Sequence, residues 1–169
     1  SSKVRKNNII IGIESSGAHS NGYSLINKLI KVSRLTKSEK EKLIKLALKP
    51  THLYTNVILD LIKKVKVKSI ANITGGGLTE NIPRSIPEKL SSEIYLDSWK
   101  MPPFFVTLQK LGKIQISDML RIFNCGIGMT VVIEPKDLNS TLKVLSEHKF
   151  KGFMIGKVIK KSATTITYL

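Results

Sequence analysis

Residues 8–13 hold four isoleucines and a glycine, and after Glu14 come eight small or turn-forming residues: Ser15, Ser16, Gly17, Ala18, His19, Ser20, Asn21 and Gly22. So dense a β-branched run reads as a buried strand, and the segment after it reads as a loop. Tyr23, Ile26, Leu29 and Ile30 then recur at helical spacing. A strand, a loop and an amphipathic helix in immediate succession require a fold in which helices pack on a sheet.

The remaining pattern extends this reading. Thr36 followed by Glu39 has capping-box spacing and opens a lysine-rich helix that runs to about Leu48, before Pro50. Thr51 is expected to cap a third helix with Tyr54, Val57, Ile58, Leu61, Ile62 and Val65 along one side. Residues 67–74 read as a second strand, and after Gly75, Gly76 and Gly77 only a short helical turn over 78–81 fits before Pro83 and Pro87. A short strand is predicted over 94–96. Pro102 and Pro103 open a helix to Gly112, and Ser117 is expected to cap another over 118–123. A loop over 124–128, a strand over 129–133 and a helix over 136–148 follow, and two strands over 153–159 and 164–168, expected to be neighbours, close the chain.

With 169 residues and 41% hydrophobic side chains, the chain suits one domain with one packed core. The predicted fold is α+β, a three-layer α/β/α-type single domain over residues 1–169 with a mixed β-sheet, partly ferredoxin-like. Apolar runs fall far short of the roughly 18 residues of a membrane span. A single cysteine, Cys125, excludes an intramolecular disulfide, and no Cys/His spacing suggests a metal site. A reducing, cytoplasmic setting is expected. The N-terminus has neither an initiator methionine nor an apolar leader, so the chain reads as part of a longer one.

The net charge is +16, from 28 Lys+Arg against 12 Asp+Glu. The lysines are spread along helical stretches and aromatics are only 6% of the chain, which argues for a solvated surface over a nucleic-acid interface. Chemistry concentrates instead in the loops. Backbone N–H groups at 15–22, flanked by hydroxyls and leading into a helix, can cradle a phosphate, and His19 can add a proton or a hydrogen bond. Thr74, Gly75, Gly76 and Gly77 form a second candidate cradle, because consecutive glycines are tolerated where backbone must approach something closely. Asn124 to Gly128 suits a bulged turn with a structural Cys125.

These strings also carry a resemblance. Ser15-Ser16-Gly17-Ala18-His19-Ser20-Asn21-Gly22-Tyr23, Ile73-Thr74-Gly75-Gly76-Gly77 with Glu80-Asn81-Ile82-Pro83-Arg84, and Phe123-Asn124-Cys125-Gly126-Ile127-Gly128-Met129 resemble the C-terminal half of the phosphoribosylformylglycinamidine cyclo-ligase family, also called aminoimidazole ribonucleotide synthetase. The resemblance implies ATP-dependent ring closure of formylglycinamidine ribonucleotide to aminoimidazole ribonucleotide in purine biosynthesis. It also implies ATP and Mg²⁺ bound mainly through an N-terminal domain absent from this chain, a homodimer, and an isolated fragment without activity. His19 would have a catalytic role. Ser15, Ser16, Gly17, Ser20, Asn21, Gly22, Thr74, Gly75, Gly76, Gly77 and Asn81 would bind the phosphorylated ribonucleotide. Two positions depart from the family pattern: Asn72 stands where the family has His, and His52 where it has Arg. The alternatives are a relative in the same superfamily, such as formylglycinamidine ribonucleotide synthetase, or a basic, non-catalytic nucleic-acid-binding module.

Overall fold

A computed structural model describes residues 3–169. In chain order it contains β1 (Ile9–Glu14), α1 (Tyr23–Val32), α2 (Lys37–Ala47), α3 (Thr55–Lys64), β2 (Ser69–Asn72), α4 (Gly77–Arg84), β3 (Leu90–Ile94), α5 (Pro103–Gly112), α6 (Ile116–Ile122), β4 (Ile127–Ile133), α7 (Leu138–Glu147), β5 (Gly152–Lys160) and β6 (Ile166–Tyr168). The strands form one mixed sheet in the order β2-β4-β1-β5-β3-β6. Every neighbouring pair is antiparallel except β3 with β6.

Alternation along the strands sends side chains into two cores. Ile10, Ile127, Val132, Ile155 and Val158 meet α1, α2, α4, α5 and α6 on one face. Ile11, Ile13, Val131 and Ile133 meet α3 and α7 on the other. The expected three layers are therefore present. The path β1-α3-β2-β4-α7-β5, with both helices on one face, is the ferredoxin-like part. Burying each large aliphatic or aromatic side chain contributes about 1.5–3 kcal/mol. Phe105, fully buried between Phe104 and Phe123, lies at the centre of the larger core.

Several local expectations are corrected. α3 starts at Thr55 with Tyr54 as its cap residue, not at Thr51, because the Tyr54 hydroxyl is tied to the Glu14 carbonyl and holds 51–54 outside the helix. α6 is capped by Gln115 rather than Ser117 and makes no side-chain cap bond. α4 runs on through Pro83. The proline lies in the last turn, where it removes one backbone bond, while Leu78 and Ile82 are fully buried beneath it. β3 spans Leu90–Ile94 rather than 94–96. Its Ser91 and Ser92 look like turn residues but are buried, and they donate to the Thr164 and Thr165 carbonyls. β5 and β6 are not neighbours, because β3 lies between them.

The capping box of α2 is present. The Thr36 N–H donates to Glu39 Oε2 at 2.8 Å, and the Glu39 N–H donates to Thr36 Oγ1 at 3.3 Å. Thr36→Ala is expected to cost about 1 kcal/mol in a urea titration. An unchanged midpoint would show that α2 is held by packing alone. Among the described residues, no helix is long and apolar enough to cross a membrane.

Candidate functional site

β1 and β2 both pair antiparallel with β4, so the loops that follow them meet the loop that precedes β4 at one end of the sheet. Side-chain amides join the three. Asn124 is fully buried; its Nδ2 donates to the Gly17 carbonyl at 2.8 Å, and its Oδ1 accepts from the Ser15 hydroxyl at 3.1 Å and the Gly126 N–H at 2.9 Å. Asn21 donates to the Ile73 carbonyl at 3.2 Å, which ties the first loop to the second. Asn81 Nδ2 donates to the carbonyls of Thr74, Gly75 and Gly77, and the Thr74 hydroxyl donates to its Oδ1.

Ser15, Ser16 and Gly17 line a cavity of about 210 Å³ together with Lys49 and the start of α5 at Pro103. Ser15 also borders an adjoining cavity of about 280 Å³ with Trp99, Lys100, Lys151 and Glu14, whose carboxylate accepts the Lys151 backbone N–H at 2.9 Å. Cations on both sides of a loop with backbone N–H groups suit an anionic ligand. Nothing in the sequence singled out these three lysines among so many. Asn124 was legible only as a turn residue, because its partners lie more than a hundred positions away.

The other predicted residues are divided between scaffold and surface. Ser20 is exposed, Asn21 is buried, and both His19 (φ 50°) and Ser20 (φ 64°) adopt left-handed backbone. Gly22 opens α1 beneath Phe123. In the second loop Thr74 and Gly75 face solvent, and a side chain at Gly75 would have open space around it. Gly77 instead lies against the α6 backbone, where a Cβ would press into the Leu120 carbonyl and come within 2.6 Å of that of Phe123. The close approach that its glycine permits is to the protein itself.

His19 is 8% exposed. Its Nε2 accepts the Ser16 N–H at 3.1 Å and lies 2.9 Å from the Ser16 hydroxyl, which donates to the Pro50 carbonyl. The proton of the neutral ring is thereby assigned to Nδ1, which is buried without a partner. Desolvation by burial, followed by the nearby His52, lowers its pKa to about 4. His19 is therefore neutral at pH 7, below the titration range that its residue type alone suggests. The unfolded chain binds this proton near pH 6.5 and the folded chain does not, so stability is expected to fall as pH drops from about 6.5 towards 4. An NMR titration of the ring signals checks it; a His19 midpoint near 6.5 would contradict the buried, neutral assignment. The Cys125 thiol is fully buried, donates to the Met119 carbonyl and is pushed up to about 12 by burial, so it is a structural group. Among the described residues, no group of three His, Cys, Asp or Glu side chains could hold a metal.

Residues 5–169 match the family model described as AIR synthase related protein, C-terminal domain. The chain is 40% identical over 171 aligned positions to phosphoribosylformylglycinamidine cyclo-ligase of Staphylococcus aureus strain Newman, with 99% of the chain and 50% of that protein covered. The same enzyme from strain MSSA476 is 41% identical, with 100% and 50% covered. The chain thus spans about half the length of the curated relatives it matches. Among solved structures, it resembles a chain of the HypE–HypF complex at a TM-score of 0.71 and 17% identity, covering 99% of this chain and 51% of that one. Thiamine-monophosphate kinase from Stenotrophomonas maltophilia gives 0.65 at 12% identity, covering 98% and 51%. T. maritima PurL complexed with FGAR gives 0.60 at 16%, covering 97% and 26%. These structural likenesses show a shared fold.

Proposed function

Because the chain belongs to the AIR synthase related protein family through its C-terminal domain, we propose that it is the substrate-gripping half of a phosphoribosylformylglycinamidine cyclo-ligase. The observation that carries this reading is the convergence of three amide-locked loops beside lysine-lined cavities, in a chain 40% identical to that enzyme. The proposed reaction closes formylglycinamidine ribonucleotide to aminoimidazole ribonucleotide, an internal nitrogen attacking the activated formyl carbon, with ADP and phosphate released. ATP, when bound, supplies the phosphoryl group that makes the formyl oxygen a leaving group.

The task of this chain is positioning. Holding both ends of a flexible substrate so that one attacks the other lowers the barrier through proximity. Ser15, Ser16 and Gly17 with Lys49 fit a phosphate, and Thr74 and Gly75 offer a second, solvent-facing edge. Gly76, Gly77 and Asn81 hold that edge in place. His19 keeps Ser16 in register, and Ser20, Asn21 and Gly22 complete the turn into α1. The proposal places the Mg²⁺ ligands and most ATP contacts on an N-terminal domain that pairs with this one in a cytoplasmic homodimer. His19→Ala in the native polypeptide is then expected to lower turnover while the fold persists. The relatives do not favour a nucleic-acid-binding module.

The test is a cyclisation assay with formylglycinamidine ribonucleotide, ATP and Mg²⁺, on this chain alone and on the polypeptide with its native N-terminal region. Product from the longer form only is the expected result. No product from either overturns the proposal.

A further inference from the structure

A third cavity, of about 350 Å³, opens between α3 and the β2–β4 pair, lined in part by Thr51, His52, Tyr54, Thr55, Asn72 and Met129. It differs chemically from the two cavities beside Ser15. No lysine or carboxylate borders it, and its walls are largely apolar, through Leu53, Ile58, Leu59 and Met129. Its polar groups are an imidazole, a carboxamide and three hydroxyls, of which that of Tyr54 is already donated to the Glu14 carbonyl.

The imidazole and the carboxamide are unspent. The His52 ring touches His19, Tyr54 and Phe150 at centroid distances of 6.1, 6.0 and 5.1 Å, edge to face. Neither that ring nor the Asn72 carboxamide hydrogen-bonds to the protein among the described residues. His19 is the reverse case, buried with its Nε2 already engaged. The imidazole free to meet a ligand is therefore His52. It is also held in place, because ring contacts on three sides restrict its rotation. His52, on the loop before α3, and Asn72, at the end of β2, border this same cavity.

We propose that His52 and Asn72 together form the polar floor of a pocket for an uncharged amide group of the ligand. This rests on the cyclo-ligase reading for the ligand's identity and goes beyond it in assigning the ends. An amide offers one donor side and one acceptor side, which an imidazole and a carboxamide can both meet. A phosphate finds no cation here and is better served beside Lys49, Lys100 and Lys151. The formamide end of the substrate thus enters between α3 and β2, and its phosphate lies towards Ser15.

Two measurements on the native polypeptide test this. In steady-state kinetics His52→Gln and Asn72→Leu are each expected to raise KM for formylglycinamidine ribonucleotide about tenfold, the usual loss of a neutral hydrogen bond, with KM for ATP unchanged. Wild-type KM in both variants, alongside a wild type that turns over, overturns the pocket and leaves the cyclo-ligase reading standing. The second measurement needs no turnover: N-formylglycinamide is titrated while the imidazole NMR signals are followed. Saturable movement of the His52 signals, abolished in Asn72→Leu and not produced by ribose 5-phosphate, supports the pocket. Unmoved His52 signals overturn it even where the enzyme reaction fails altogether.

Discussion

Gly77→Ala is expected to destabilise the domain by about 3 kcal/mol, and by roughly 10 °C in Tm. The residue sits at φ +55°, where a side chain costs about 1 kcal/mol of backbone strain. The added methyl group also meets the carbonyls of Leu120 and Phe123, which are backbone atoms at the end of α6 and cannot rotate away. Relief requires α4 and α6 to separate, which opens the core around Leu78, Ile82 and Leu120. Gly75→Ala, two residues earlier, has open space and no positive φ, so its stability should stay within about 0.5 kcal/mol of wild type. Thermal unfolding of both variants decides the matter. Equal melting temperatures would show that the glycine run has no packing role; a weakened KM in Gly75→Ala alone would mark that residue as facing ligand.

Asn124→Ala is the second large effect, expected to cost about 2–4 kcal/mol and to raise KM for the phosphorylated substrate. The side chain satisfies the Gly17 carbonyl and the Gly126 N–H, and leaving such buried groups unpaired costs about 1–3 kcal/mol each. It also connects the loop after β1 to the loop before β4, so its loss frees Ser15 to Gly17 from the position in which they border two cavities. Denaturant unfolding and substrate kinetics on one preparation separate the two consequences. Wild-type stability with wild-type KM would show that the loops hold their arrangement without this amide.

Much of the fold was legible because local pattern and tertiary burial agree. β1, the Thr36 box of α2, the apolar side of α3 and the strand over 129–133 all follow their period. What was hidden depends on distant partners. Ser91 and Ser92 read as turn residues until the carbonyls of 164 and 165 make them acceptable in a buried strand. Pro83 ends a helix in isolation, but here it rides on the buried Leu78 and Ile82. The same holds at the candidate site. The small residues of the first loop are visible as a type, whereas the locking role of Asn124 and the cavity shared by His52 and Asn72 come from tertiary placement that no local window contains. His19 was legible as a special residue. Its displaced pKa comes from burial beside His52, which appears only in the folded chain.

The position of β1 bears on how the chain is made. The first strand is central in the sheet, and both its partners come from the last third: Ile9 pairs with Ile133 on one side and Lys157 on the other. Contacts of such sequence separation form late and slowly. During synthesis the residues of β1 emerge long before either partner and present an isoleucine-rich segment with two open edges, while only the intervening helices can form locally. A ribosome-bound chain ending before Gly152 is therefore expected to remain protease-sensitive and to hold chaperones. Release of β5 would be the event that commits the domain to its native sheet.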